Sequence, residues 1–167
     1  SAIAKGIQEN KNCVLEELNL NGNKIKVKGA KSLVEMIKVN ASLKKIRIKE
    51  FTLPIDDLKG ETKVESIDFS GKSLCVEDAI IIAECLKVNA SLKKINLYSN
   101  EIGDEGASAI AKGIQENKNC VLEELNLGYN KIKVEGAKSL AEMIKVNASL
   151  KKIRIKEFTL PIDDLKG

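Results

Sequence analysis

Apolar residues return along the chain on two alternating schedules. In LEELNLNGNKI from Leu15, VESIDFSGKSL from Val64, LKKINLYSNEI from Leu92 and LEELNLGYNKI from Leu122 they hold the first, fourth and sixth places. The fourth and sixth then share one face of an extended segment while the residues between them point away, the signature of a half-buried strand. A Gly-Ala or Asp-Ala pair opens the second schedule, at Gly29-Ala30, Asp78-Ala79, Gly106-Ala107 and Gly136-Ala137. In the second of these, Ala79, Ile82, Ala83 and Leu86 fall at i, i+3, i+4 and i+7 and predict a helix with one apolar stripe. Each helix runs into an asparagine (Asn10, Asn40, Asn89, Asn117 or Asn147), a residue that tolerates the left-handed conformation at a helix end.

The two schedules make one unit, and the unit repeats. Strand starts at Leu15, Leu43, Val64, Leu92, Leu122 and Leu150 are separated by 28, 21, 28, 30 and 28 residues. A larger period lies above it: Ser1–Gly60 returns as Ser108–Gly167, offset by 107, with 56 of 60 positions identical. Only Asn21/Gly128, Gly22/Tyr129, Lys28/Glu135 and Val34/Ala141 differ. One strand and one helix cannot bury both apolar surfaces alone, so neighbours are expected to stack in register as a continuous parallel sheet backed by helices.

The unit from Leu43 is only 21 residues long. Pro54 lacks an N–H and disfavours helix at Leu53, and the few residues before Gly60 leave room for one tight turn. Residues 1–12 match the helix of a unit whose strand is missing, so the chain is read as starting in mid-repeat. Strand 14–20 and the last strand, 150–155, are expected to be open sheet edges that favour self-association.

The pattern LxxLxLxxNxI followed by GAxxLAxxIxxN resembles the leucine-rich repeat of the ribonuclease-inhibitor type. The resemblance implies an α/β fold spanning 1–167 as a single right-handed leucine-rich-repeat solenoid. Parallel strands would form its concave face and helices its convex face, with one short unit lacking a full helix per 107-residue period. It also implies that Asn23, Asn100 and Asn130 form a ladder of side chains bonding the backbone of adjacent turns. Phe51, Lys72 and Phe158 depart from that ladder.

Chemistry changes this picture little. The 28 Lys and Arg are interleaved with 24 Asp and Glu for a net charge of +4, too small an excess to point to nucleic acid. The longest apolar run, Ala79–Ala83, is far below the roughly 20 residues of a membrane span. Four cysteines without a CxxC pair, and no histidine, imply neither a zinc set nor a disulfide framework; they fit buried reduced thiols in a cytoplasmic protein. No histidine, phosphate loop or GxSxG supports catalysis, and no cofactor is implied.

Function is therefore sought on the outward strand positions. Two strands are wholly basic there, Lys45/Arg47/Lys49 and Lys152/Arg154/Lys156, and an acidic partner bridging them across roughly 19 Å is one expectation. The competing explanation is cross-strand pairing, because Glu16, Lys44, Glu65, Lys93, Glu123 and Lys151 alternate in sign. The rim holding Tyr98, Ser99, Asn126 and Tyr129 is the first choice of contact surface, tyrosine being enriched at interface hot spots. The leading reading is a non-enzymatic protein–protein interaction scaffold. A regulatory or sensing portion of a larger protein, as in NLR immune receptors or Ran GTPase-activating protein, and a structural or engineered array are the alternatives.

Overall fold

The structure is a computed structural model and describes residues 2–156 and 158–161. The second copy's short turn, at 162–167, and the Phe158 side chain lie outside the described residues. Helix α1 (Ala2–Glu9) leads to β1 (Glu17–Asn19), α2 (Val27–Val39), β2 (Lys45–Arg47), β3 (Thr52–Pro54) and the single-turn α3 (Ile55–Lys59). There follow β4 (Ser66–Asp68), α4 (Val76–Leu86), β5 (Lys94–Asn96), α5 (Gly103–Glu116), β6 (Glu124–Leu127), α6 (Val134–Val146), β7 (Lys152–Ile155) and β8 (Phe158–Pro161).

The apolar schedule does what it predicts within a unit. Ile95 and Leu97, Leu125 and Leu127, and their equivalents Ile67 and Phe69 are buried in one core with the helix stripes. At the ends of β1, β4, β5 and β6 a side chain folds back on the chain. Oδ1 of Asn19, Asp68, Asn96 and Asn126 accepts the N–H of the residue two places on, at 2.8–3.1 Å, and shapes the turn that follows the strand. The helices begin two or three residues before the predicted Gly-Ala and Asp-Ala pairs.

Parallel pairing holds inside two sheets, and the expected continuous sheet is corrected at the short unit. The order is β1-β2-β3 in one sheet and β4-β5-β6-β7-β8 in the other. β3 folds back antiparallel on β2, with Ile46 opposite Leu53, and takes the side of β2 where the next parallel strand would pair. The segment 48–51 is too short for a helix crossover, which parallel neighbours require. β8 pairs antiparallel with β7 in the same way, so 150–155 is not the open edge expected of it. Across the break the core is continuous: Phe51 meets Phe69 edge-on, centroids 5.2 Å apart, where the ladder asparagine is absent.

Since the short unit contributes only α3, helix α2 packs directly against α4. Buried between α2 and α5, α4 hides far more than its four-residue stripe: Glu77, Asp78, Ile80, Ile81 and Cys85 are buried too. Lys31 of α2 reaches Glu105 of α5 at 3.7 Å beside it.

The helix-end asparagines also behave differently from expectation. Asn40, Asn117 and Asn147 are extended, with φ between −93° and −78° and ψ between 104° and 132°. Their side chains do the work instead. Oδ1 of Asn40, Asn89 and Asn147 accepts the N–H of the residue three places on, at 2.7 Å in each case, and leads the chain into the next strand. Nδ2 of Asn117 donates back to the carbonyls of Leu86 and Asn89 at 2.8 and 2.6 Å, and Nδ2 of Asn89 to Leu58 at 3.0 Å. At Asn89 and Asn117 these bonds tie a unit to the one before it.

Candidate interaction surface

The face of β4–β7 turned away from the helices is an open groove of about 500 Å³. Its residues stand in direct register. Ser66, Lys94, Glu124 and Lys152 form one row, and Asp68, Asn96, Asn126 and Arg154 the next. In the first row Glu124 lies 3.1 Å from Lys94 and 3.7 Å from Lys152, and the bond from Lys94 is the main cause that holds its carboxyl below the usual range. In the second row the Ser70 hydroxyl and N–H, with Asn96 and Lys72 adding less, keep the exposed Asp68 carboxyl below its usual value.

The first asparagine ladder holds this face level. Nδ2 of Asn100 donates to the carbonyls of Phe69 and Leu97, both at 2.9 Å, while its Oδ1 accepts the N–H groups of Lys72 and Leu74 at 3.0 and 2.9 Å. Asn130 reaches back to Leu97 at 2.7 Å. Asn23, in the unit of β1, bonds only the Leu20 carbonyl of its own turn, at 3.0 Å.

Tyr98, Ser99, Asn126 and Tyr129 come together at one rim of the groove. The two tyrosine rings meet edge-on, 5.2 Å apart at 66°, and Tyr129 is 51% exposed. Ser99 donates its N–H to the Gly128 carbonyl at 2.9 Å. Ser99 and Tyr129 adopt φ of 55° and 54°, at the turn position that Gly22 and Gly71 hold in other units. A tyrosine in that left-handed region costs on the order of 1 kcal/mol or more, which the surrounding contacts must offset.

The difference between the copies at this rim has a packing reason. A Cβ on Gly128 would stand 2.6 Å from the Lys156 carbonyl oxygen, 3.2 Å from Tyr98 Cδ2 and 3.3 Å from Arg154 Cδ. The glycine is the seat on which Tyr98 lies. Asn21, its counterpart in the first copy, is exposed in the turn after β1, the outermost strand of its sheet. Sequence reading registered the substitution but could not see which neighbour would fill the space.

The basic triplets do not form the joint site expected of them. Lys45, Arg47 and Lys49 belong to the first sheet, while Lys152, Arg154 and Lys156 adjoin the groove of the second, so four uninterrupted strand steps do not connect them. Lys45 is also engaged by Glu17 at 2.8 Å, a bond that raises its pKa, and Arg47 Nε donates to the Lys49 carbonyl at 3.1 Å. The sign alternation one place upstream does pair across strands: Lys44 with Glu16 at 2.6 Å, Lys93 with Glu65 at 2.9 Å and Lys151 with Glu123 at 2.9 Å. Such exposed pairs serve register and solubility more than stability.

Of the four cysteines, all free, only Cys85 is fully buried. That corrects the expectation of uniformly buried thiols, since Cys13 and Cys120, just ahead of their strands, keep one side open. Cys75 caps α4, with its N–H and thiol both 3.0–3.1 Å from Asp78 Oδ2, and burial pushes the thiol up to about 12. No group of three or more Cys, Asp or Glu among the described residues is placed to hold a metal ion. No described helix is long and apolar enough to cross a membrane.

Three segments, 11–34, 88–111 and 118–141, match the family model described as Leucine Rich repeat. Each covers the approach to a strand, the strand, its turn and part of the following helix. No curated protein matches the chain. Among solved structures, leiomodin-1 actin-binding site 2 is similar at 20% identity, with a TM-score of 0.50, over 98% of this chain and 84% of that one. The Caenorhabditis elegans tropomodulin C-terminal domain aligns at 15% identity and a TM-score of 0.48, over 99% of this chain and 87% of that one.

Proposed function

We propose that this assembly of leucine-rich repeats is a non-enzymatic protein–protein interaction scaffold that holds its partner on the open face of β4–β7 and the adjoining tyrosine rim. The units would wind as a right-handed solenoid of ribonuclease-inhibitor type across 1–167, placing that face on the concave side. One observation carries the reading: four adjacent strands line an open groove with polar side chains, and the half-exposed Tyr98–Tyr129 pair stands at its rim on a backbone strained at Tyr129. Strained turns and exposed aromatic pairs cluster where proteins make contacts. A cytoplasmic placement fits four thiols without disulfides.

The test uses the full chain as bait in lysate and with purified actin, which the name of the leiomodin site makes the first single protein to try. A partner retained by the chain is expected to be lost by Tyr98→Ala/Tyr129→Ala and by Asn126→Arg, and kept by Lys112→Ala on α5. Equal retention by all of them would overturn the assignment of this face.

A further inference from the structure

The groove is not uniform in charge, and that narrows what it accepts. Going on from the reading above, on which this rests, we propose that its occupant is an extended protein segment carrying one basic and one acidic group about 14 Å apart. The segment lies across the strands, its basic group on Asp68 and its acidic group at Arg154 and Lys156. The distance is three strand steps of about 4.8 Å, from β4 to β7, along a row whose members pair directly in register.

The row runs from an anion through two carboxamides to a cation. Each carboxamide is held in one orientation, since Oδ1 of Asn96 and of Asn126 accepts a backbone N–H of its own turn at 3.1 Å, and the Asn96 amide also bonds Asp68. The Nδ2 hydrogens left over can donate to the carbonyls of a peptide backbone laid across them, whatever the charge of its side chains. Asp68 is exposed, and its Oδ1 accepts the Ser70 N–H at 2.8 Å. At the other end Lys156, exposed in the turn two residues after Arg154, adds a second positive charge to this stretch.

The neighbouring row does not cancel this polarity. Lys94 and Lys152 flank Glu124 and leave one net positive charge spread along that row. A uniformly acidic segment would set a carboxylate against Asp68, and a phosphate chain would meet both Asp68 and Glu124 along its path. The first sheet offers no equivalent, because its matching row sets Asn19 opposite Arg47 and carries no acidic residue.

Three probes separate the outcomes: Ac-Lys-Thr-Thr-Thr-Glu-NH2, whose charged groups are about 13 Å apart when extended, and the two analogues with Glu at both ends or Lys at both ends. Each is titrated into the isotope-labelled full chain by NMR. The mixed-charge probe is expected to shift the amides of 66–68, 94–96, 124–126 and 152–154, binding at least about fivefold tighter than either analogue. Asp68→Asn is expected to remove that preference over the all-Glu probe, and Arg154→Gln the preference over the all-Lys probe. Shifts on this face with no preference, or a preference that survives both variants, would overturn this inference and leave the proposed surface standing. Probes that shift only amides elsewhere, or none, would overturn it, and retention of a lysate partner by the tyrosine-rim variants would then discard the surface as well.

Discussion

The stretch SAIAKGIQENKNC occurs twice, at 1–13 and at 108–120, and its glycine is expected to respond oppositely to the same substitution. Gly6 lies in α1 with nothing within 4 Å of an added Cβ. Gly113 lies in α5 against the backbone of α4, where a Cβ would run into the Ala83 carbonyl oxygen and stand 3.0 and 3.1 Å from Ala83 C and Cα. Both changes to alanine gain the same helix propensity, ~1 kcal/mol, so the difference between them isolates the packing cost. Overpacking a filled core costs about 1–3 kcal/mol. The upper end applies here because the obstacle is backbone of the most buried helix and cannot swing aside.

Gly6→Ala is therefore expected to be neutral or to stabilise by up to about 1 kcal/mol. Gly113→Ala should destabilise by about 2 kcal/mol, after its propensity gain is subtracted from that packing cost. The measurement is urea unfolding of both variants with the slope checked for constancy, supported by thermal melts, where ~3 kcal/mol in a chain of this size separates the midpoints by about 6–12 °C. Coincident midpoints, or a more stable Gly113→Ala, would refute the close approach of α5 to α4.

Two further predictions follow from the ladders and the thiols. Asn100→Ala removes four well-formed bonds to buried backbone and should cost about 4 kcal/mol at ~1 kcal/mol per bond, against at most about 1 for Asn23→Ala; equal losses in urea unfolding would show that the inter-unit ladder is not what holds the turns. Cys85, its thiol pushed up to about 12 by burial against an ordinary 9.0, should carry about a thousandfold less thiolate near neutral pH. It should resist iodoacetamide at pH 8 while the half-exposed Cys13 reacts, gaining reactivity only as pH climbs toward 12 or the chain unfolds. Alkylation of Cys85 as fast as Cys13 in the folded chain, followed by mass spectrometry, contradicts its placement.

The ten expected contact residues show which spatial neighbours a position in the repeat specifies and which it does not. Tyr98, Ser99, Asn126 and Tyr129 meet because each holds a fixed place in a unit and adjacent units stack in register, so position in the repeat was enough to bring them together. Lys45, Arg47 and Lys49 were expected to act jointly with Lys152, Arg154 and Lys156 by counting strands, and the count failed at the hairpin. Nothing in the apolar pattern of 45–54 distinguishes a strand that continues the parallel series from one that folds back. The choice depends on whether the intervening chain is long enough to carry a helix across.

By itself the sequence determined the unit: the two apolar periodicities specify a strand and a helix, and the 107-residue duplication makes the units interchangeable. It also fixed the asparagines at the turns, whose short side chains are suited to bonding backbone. What only the tertiary structure decided is everything that depends on which unit lies next to which. The same glycine is free in α1 and wedged in α5; Gly128 is required because the Lys156 carbonyl and Tyr98 close over it; α4 is enclosed because a neighbour has lost its helix. The physical reason is that local propensity is written within a few residues, whereas burial, steric fit and charge pairing are set by groups some 30 positions away across the stack.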